Sequence, residues 1–149
     1  MNRRDAIRRV GAASAALALP ARTQTNRLVL GQSAALSGPA AQLGIQMHRG
    51  AKVFFDQLNA SGGVNGQTIA LRTLDDGYEP DRCKSNTERP IADEVFALFG
   101  YVGTPTCVAA LPLVNEAQIP FFGPFTGAEV LRDPFSRSVF HLRASYYDE

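Results

Sequence analysis

Residues 95–110 constrain the fold of this chain more than any other stretch. An apolar run, Val95-Phe96-Ala97-Leu98-Phe99, ends at Gly100-Tyr101-Val102-Gly103, and Thr104-Pro105-Thr106 then opens an apolar pattern of helical spacing. A short apolar run bounded by glycine reads as a buried strand. Thr104 stands where a helix N-cap is expected, since its hydroxyl can accept a backbone N–H that a helix start leaves unpaired. Pro105 suits the first helical position, where its missing N–H costs nothing and its φ is already set. Gly103 lets the backbone come close to whatever sits above the strand end. A strand that turns directly into a helix in this way aims a hydroxyl, free N–H groups and a positive helix end at one point. Such a point holds a carboxylate, a similar anion or a polar amide without a charged side chain.

The arrangement recurs. Residues 119–122 read as a short strand, followed by Gly123-Pro124-Phe125-Thr126-Gly127-Ala128-Glu129, in which Thr126 and Glu129 have capping-box spacing. Ser37-Gly38-Pro39 after the apolar run at 28–36 is a third, looser case. Three strand ends bearing hydroxyls and glycines point to one shared site, because ligands of open α/β sheets bind at the carboxyl ends of the strands. Ordinary strand-to-helix turns favour the same residues, so any one of these turns taken alone carries either reading.

Between these points strands and helices alternate. A strand is expected at 26–36, a helix at 42–59 with Met47, Ala51, Phe54, Phe55 and Leu58 on its buried face, and a strand at 68–74. A helix at 81–93, a strand at 95–101, a helix at 105–117, a strand at 119–122, a short helical turn at 128–132 and a fifth strand at 139–143 complete the pattern. The fold class that follows is α/β, a doubly wound parallel sheet with helices on both faces.

The front of the chain reads as a targeting segment. Residues 1–9 carry Arg3, Arg4, Arg8 and Arg9, residues 10–19 are apolar and alanine-rich, and Ala16-Leu17-Ala18 offers a cleavage site, with cleavage after Ala21 as the alternative. The apolar run falls short of the ~20 residues that span a bilayer. Arg3-Arg4 with Ile7 and Arg8 matches a twin-arginine signal in part, and a general secretory signal is the other reading. Residues 22–149 then form the mature part, about one domain, expected to be exported, soluble and periplasmic. Loss of residues 1–21 removes four arginines and one aspartate and takes the formal charge from +1 to −2. No basic patch remains, which argues against a nucleic-acid partner.

The two cysteines, Cys83 and Cys107, form no C-x-x-C pair, and each falls near the first turn of a helix. A disulfide is permitted in an exported protein; two separate buried thiols are the other reading.

An ordered set of motifs carries a resemblance. Ala34-Ala35-Leu36-Ser37-Gly38-Pro39, Asn59-Ala60-Ser61-Gly62-Gly63-Val64-Asn65-Gly66, Asp75-Asp76-Gly77-Tyr78-Glu79-Pro80, Phe99-Gly100-Tyr101-Val102-Gly103-Thr104-Pro105-Thr106, residues 122–128 and Arg143-Ala144-Ser145-Tyr146 follow one another at suitable spacing. Together they resemble the solute-binding proteins of branched-chain amino acid type ABC transporters, the type I periplasmic binding fold. The resemblance implies two α/β lobes that close on a small-molecule ligand, with the transporter's membrane permease as partner and no cofactor or metal. It implies that the amino-terminal lobe holds the ligand's polar head at Val102, Gly103 and Thr104 and at Phe125, Thr126 and Gly127. Thr104 would act as hydroxyl donor and acceptor, Gly103 and Thr126 would supply backbone groups, Phe125 an apolar wall, and Ser37 would lie close to the same cleft. Relatives that bind leucine often carry an aromatic residue where Leu43 stands. The family chain continues through a hinge into a second lobe, so residues 22–149 correspond to one lobe, either a piece of a longer chain or a shortened product without function of its own.

Other function classes find less support. No G-x-S-x-G elbow and no P-loop occur. Asp75-Asp76 at a strand end offers a metal or phosphoryl site, but loop capping before Pro80 explains the pair equally simply. His48 and His141 lack a partner motif and read as structural. A ligand-sensing receptor lobe shares the same fold and stays open as an alternative to transport.

Overall fold

A computed structural model describes residues 27–149; the expected export signal lies outside the described residues. Five strands, β1 (Arg27–Ala34), β2 (Thr68–Asp75), β3 (Ala97–Phe99), β4 (Phe121–Phe122) and β5 (Val139–Phe140), form one sheet in the order β2-β1-β3-β4-β5. Every pairing is parallel. Helices α1 (Ala41–Ala60), α2 (Pro80–Ala92) and α3 (Thr104–Ala117) make the first three connections, and a single 3₁₀ turn (Glu129–Leu131) lies in the fourth.

The winding reverses once. The chain moves outward from β1 to β2, crosses back past β1 to β3, and continues to β4 and β5. Right-handed crossovers running in opposite directions place their helices on opposite faces. Accordingly Phe55 of α1 packs with Leu30 and Ala97 on one face. On the other, α2 and α3 pack against each other, and Cys83 and Cys107 join Leu98, Tyr101, Val114 and Phe121 in the main core. Tyr101 and Phe121 meet edge to face, with ring centroids 5.0 Å apart.

Among the described residues only α1 covers its face, and it lies over β1 and β2. Beyond it, Phe96, Phe99, Phe122 and Phe140 line an open apolar groove of about 500 Å³.

Several local expectations are corrected. Phe54 is 61% exposed rather than on the buried face of α1, because Phe55 takes the inward position and Phe54 lies against its edge. β3 is shorter than expected because Gly100 adopts φ +62° and ends the extended run. β1 stops at Ala34 because the next turn is drawn to the Asp75 carboxylate, and β5 stops at Phe140, where the His141 ring is held at the Leu131 carbonyl. Thr104 is the first residue of α3 and not its cap: Gly103, at φ +102°, occupies the cap position and no side chain caps the helix. The expected capping box does not form either. The Thr126 hydroxyl accepts from the Ala128 N–H at 3.1 Å, whereas the Glu129 carboxylate accepts from the Ser145 hydroxyl. Cys83 and Cys107 are free and fully buried. Burial pushes the Cys83 thiol up to about 12 and raises Cys107 likewise, so neither ionises at neutral pH.

The ends of β1 and β2 are tied by two carboxylates. Asp75 Oδ1 accepts from the N–H groups of Leu36 (2.8 Å), Ser37 (3.2 Å) and Gly77 (2.9 Å), and Oδ2 accepts from the Ser37 hydroxyl at 2.6 Å. Arg82 adds an ion pair at 3.2 Å. Asp76 is buried and accepts from the Ser33 hydroxyl at 2.7 Å and the Tyr78 N–H at 2.8 Å. The Ser37 hydroxyl above all, then the Leu36 and Gly77 N–H groups and Arg82, hold Asp75 well below the usual carboxylate range against the opposing effect of burial.

Two outcomes follow for urea unfolding. Phe121→Ala removes a fully buried ring from the main core and is expected to cost about 3–5 kcal/mol. Asp75→Asn lowers stability at neutral pH. Since the folded-state pKa is depressed, the carboxylate's contribution is complete above its ordinary value of 3.8 and is lost as pH falls below it. The gap between wild type and Asp75→Asn therefore narrows in acid; a gap independent of pH would contradict this account.

Candidate functional site

Reversal of the winding between β1 and β3 opens a crevice at the carboxyl ends of the strands, the usual ligand position in such sheets. The loops after β1, β2, β3 and β4 border it.

Its centre is a chain of hydroxyls. Thr104 Oγ1 and Thr126 Oγ1 lie 2.6 Å apart, and Thr126 Oγ1 lies 3.3 Å from the Tyr146 hydroxyl. Thr104 comes from the first residue of α3, so the positive helix end lies beside it. Thr126 is buried, fixed by the Ala128 N–H, while Thr104 is only half-buried. Hydrogen bonding with Thr126, then with Thr104, draws the Tyr146 phenol below its ordinary value.

The supporting backbone is fixed from beneath. The Phe125 N–H donates to the Tyr101 carbonyl at 2.7 Å, and Val102 and Phe125 pair as an isolated parallel bridge. Val102 is fully buried, and its carbonyl accepts the Thr106 hydroxyl at 2.6 Å. The Gly103 carbonyl accepts from the same hydroxyl at 3.0 Å and from the Cys107 N–H at 3.1 Å. These two carbonyls are therefore engaged in starting α3. What remains for a ligand is the half-buried Thr104 hydroxyl and the first-turn N–H groups, which have no intrahelical acceptor. Pro105 contributes none.

Gly103 is required on two counts. Its φ of +102° disfavours any side chain, and a Cβ there would stand 2.4 Å from the Tyr78 ring. Tyr78 thus seals the Gly103 turn from the β2 side. Gly127 is confined similarly: a Cβ would meet Tyr146 at 2.6 Å, and the Tyr146 N–H donates to the Gly127 carbonyl at 2.9 Å.

The named residues divide by position. Thr104, Thr126, Phe125 and Gly127 converge, with Val102 and Gly103 beneath them. Ser37 belongs to the loop between β1 and α1, where its hydroxyl is committed to Asp75 at the end of β2. Leu43 is exposed near the start of α1. Asp75 and Asp76 close loops, and the described residues hold no group of three or more side chains suited to a metal ion. His48 Nδ1 lies 2.9 Å from the Thr73 hydroxyl and 3.3 Å from Gln32 Oε1, a structural position.

Three side chains at the site were not singled out from the sequence: Tyr78, Tyr146 and Arg143. The Arg143 guanidinium lies 5.2 Å from the Phe125 ring centroid and 5.1 Å from that of Tyr146. The signal for Tyr78 was an aromatic residue next to a strand-end glycine. Tyr146 and Arg143 stood only within the Arg143-Ala144-Ser145-Tyr146 motif, with no role read from it, because they follow β5 and reach the site only through the sheet order.

No helix among the described residues is long and apolar enough to cross a membrane. A family model described as periplasmic binding protein matches residues 28–149. Among curated relatives, the Leu/Ile/Val-binding protein homolog 7 of Brucella abortus is 30% identical over 134 residues, 89% of this chain and 33% of the relative. Among solved structures, a possible leucine/isoleucine/valine-binding protein from Rhodopirellula baltica superposes with a TM-score of 0.77 at 46% identity, covering 82% of this chain and 33% of that one. A substrate-binding periplasmic protein from Ralstonia solanacearum gives 0.75 at 36% identity, covering 82% and 35%. The matched region spans about a third of the length of these relatives. A parallel sheet that reverses at β1, hydroxyls gathered at its strand ends and a family match over almost every described residue lead to one conclusion: the chain belongs to the periplasmic binding protein family, whose members bind solutes and are not enzymes.

Proposed function

We propose that this chain is the amino-terminal ligand-binding lobe of the extracytoplasmic solute-binding component of an ABC importer, exported to the periplasm under the direction of residues 1–21. It takes the polar head of a small amino acid, amide or organic acid. A second lobe closes over that ligand, and the transporter's permease receives it. The observation that carries this reading is the 2.6 Å contact between Thr104 and Thr126, which brings two strand ends together at the crevice beside a helix start. A carboxylate there accepts from the α3 N–H groups and the Thr104 hydroxyl; an amide also finds an oxygen acceptor in that hydroxyl. Phe125, 39% exposed, supplies an apolar wall. The names of the relatives support an amino acid as the first ligand to test.

The test is a ¹⁵N-resolved titration with L-leucine, L-glutamate and L-leucinamide. Binding at this site shifts the amides of Gly103, Thr104, Thr106, Phe125, Thr126 and Gly127, and Thr104→Val weakens it about tenfold through loss of one hydrogen-bonding hydroxyl. Shifts confined to other loops, or unchanged affinity in Thr104→Val, would remove the site from this position.

A further inference from the structure

Arg143 follows β5 and is held at the rim of the cleft by contacts that do not involve its charge partner. Its guanidinium lies over both the Phe125 and the Tyr146 ring, an arrangement favoured by the ring quadrupoles. Its backbone is anchored separately, because Arg132 Nη2 donates to the Arg143 carbonyl at 2.7 Å and to the Ala144 carbonyl at 3.1 Å. The two rings flank Thr126: Phe125 precedes it in the chain, and the Tyr146 hydroxyl touches its side chain. The charged fork is therefore positioned one aromatic ring away from the threonine pair.

The fork already holds a carboxylate. Arg143 Nε donates to Glu149 Oε1 at 2.6 Å and Nη2 donates to Oε2 at 2.8 Å, the two-pronged geometry by which arginine recognises carboxylates in general. Glu149 is exposed and contributes no other contact to the cleft. An exposed ion pair of this kind is weakly held and readily exchanged.

We propose that Arg143 is a specificity-determining residue that takes a second carboxylate of the ligand in place of Glu149. The ligand is then a small molecule with two polar ends, an acidic amino acid or short dicarboxylate. One end sits at Thr104 and the α3 N-terminus and the other in the Arg143 fork, with its carbon chain against Phe125. This rests on the reading of the Thr104–Thr126 cleft as the ligand site, and it narrows that reading to one ligand class.

L-glutamate and L-glutamine differ only in the terminal carboxylate and make the discriminating pair. Titrated into the full chain and followed by ¹⁵N-resolved shifts, including the Arg143 side-chain Nε–H, glutamate should bind at least about tenfold more tightly than glutamine, as expected for a charge-assisted bidentate contact. Only glutamate should move the Arg143 signal. Arg143→Gln should abolish the preference, and Arg143→Lys, which keeps the charge but lacks the fork, should retain a fraction of it. Glu149→Gln frees the fork and should raise glutamate affinity; it serves as an independent measurement where an Arg143 variant fails to fold. Equal affinities, or a preference that survives Arg143→Gln, would overturn the proposal. So would failure of both probes to bind, and L-leucine then separates the two readings: shifts at Gly103 and Thr104 with leucine leave the cleft in place, and none would remove the cleft as well.

Discussion

The single reversal of winding about β1 governs the rest of the molecule. With β2 on one side of β1 and β3 on the other, right-handed crossovers send α1 to one face and α2 and α3 to the opposite face. Two helices on one face pack against each other over a continuous core, and this is where the fully buried side chains gather. Among the described residues one helix on the other face covers two strands of five, and Phe96, Phe122 and Phe140 stand exposed along a groove beyond it. The same reversal parts the loops that follow β1 and β3, and Thr104 and Thr126 meet beside the crevice between them.

The site depends on polar contacts that hold loops rather than on strand length. β3, β4 and β5 are short, and their carboxyl ends would be poorly defined if the loops beyond them were free. Thr106 turns its hydroxyl back onto the Val102 and Gly103 carbonyls, Asp75 gathers the β1 turn onto β2, and Arg132 clasps the backbone at Arg143 and Ala144. Each bond spends its polar group inside the protein. The half-buried Thr104 hydroxyl and the start of α3 are left as the groups with capacity for a ligand, a pre-organisation that lowers the ordering cost of binding.

Much of the fold was legible because it rests on local chemistry. The apolar runs, the glycine stops and the helical spacing of residues 104–117 each act within a few residues, and the strand–helix alternation they produce determines an α/β sheet. The errors were also local in origin. Thr104 and Thr126 carry the side chains of helix caps, and capping was the natural reading. In the structure each hydroxyl has a better use: Thr104 bonds Thr126 across 22 residues, and Thr126 closes its own turn. Phe54 and Phe55 both fit an apolar stripe, and only packing against Leu30, Ala97 and Phe99 decides which of them turns inward.

By itself the sequence determined the class of the sheet, the position of its turns and the residues that crowd its strand ends, because those follow from backbone preference and apolar periodicity. Tertiary structure alone decided which hydroxyls meet, that Asp75 and Asp76 close loops, that Cys83 and Cys107 stay as buried thiols, and that Tyr146 and Arg143 arrive beside Phe125. Each of these is a contact between segments far apart in the chain, and strand order, which no local pattern encodes, sets the distance between them.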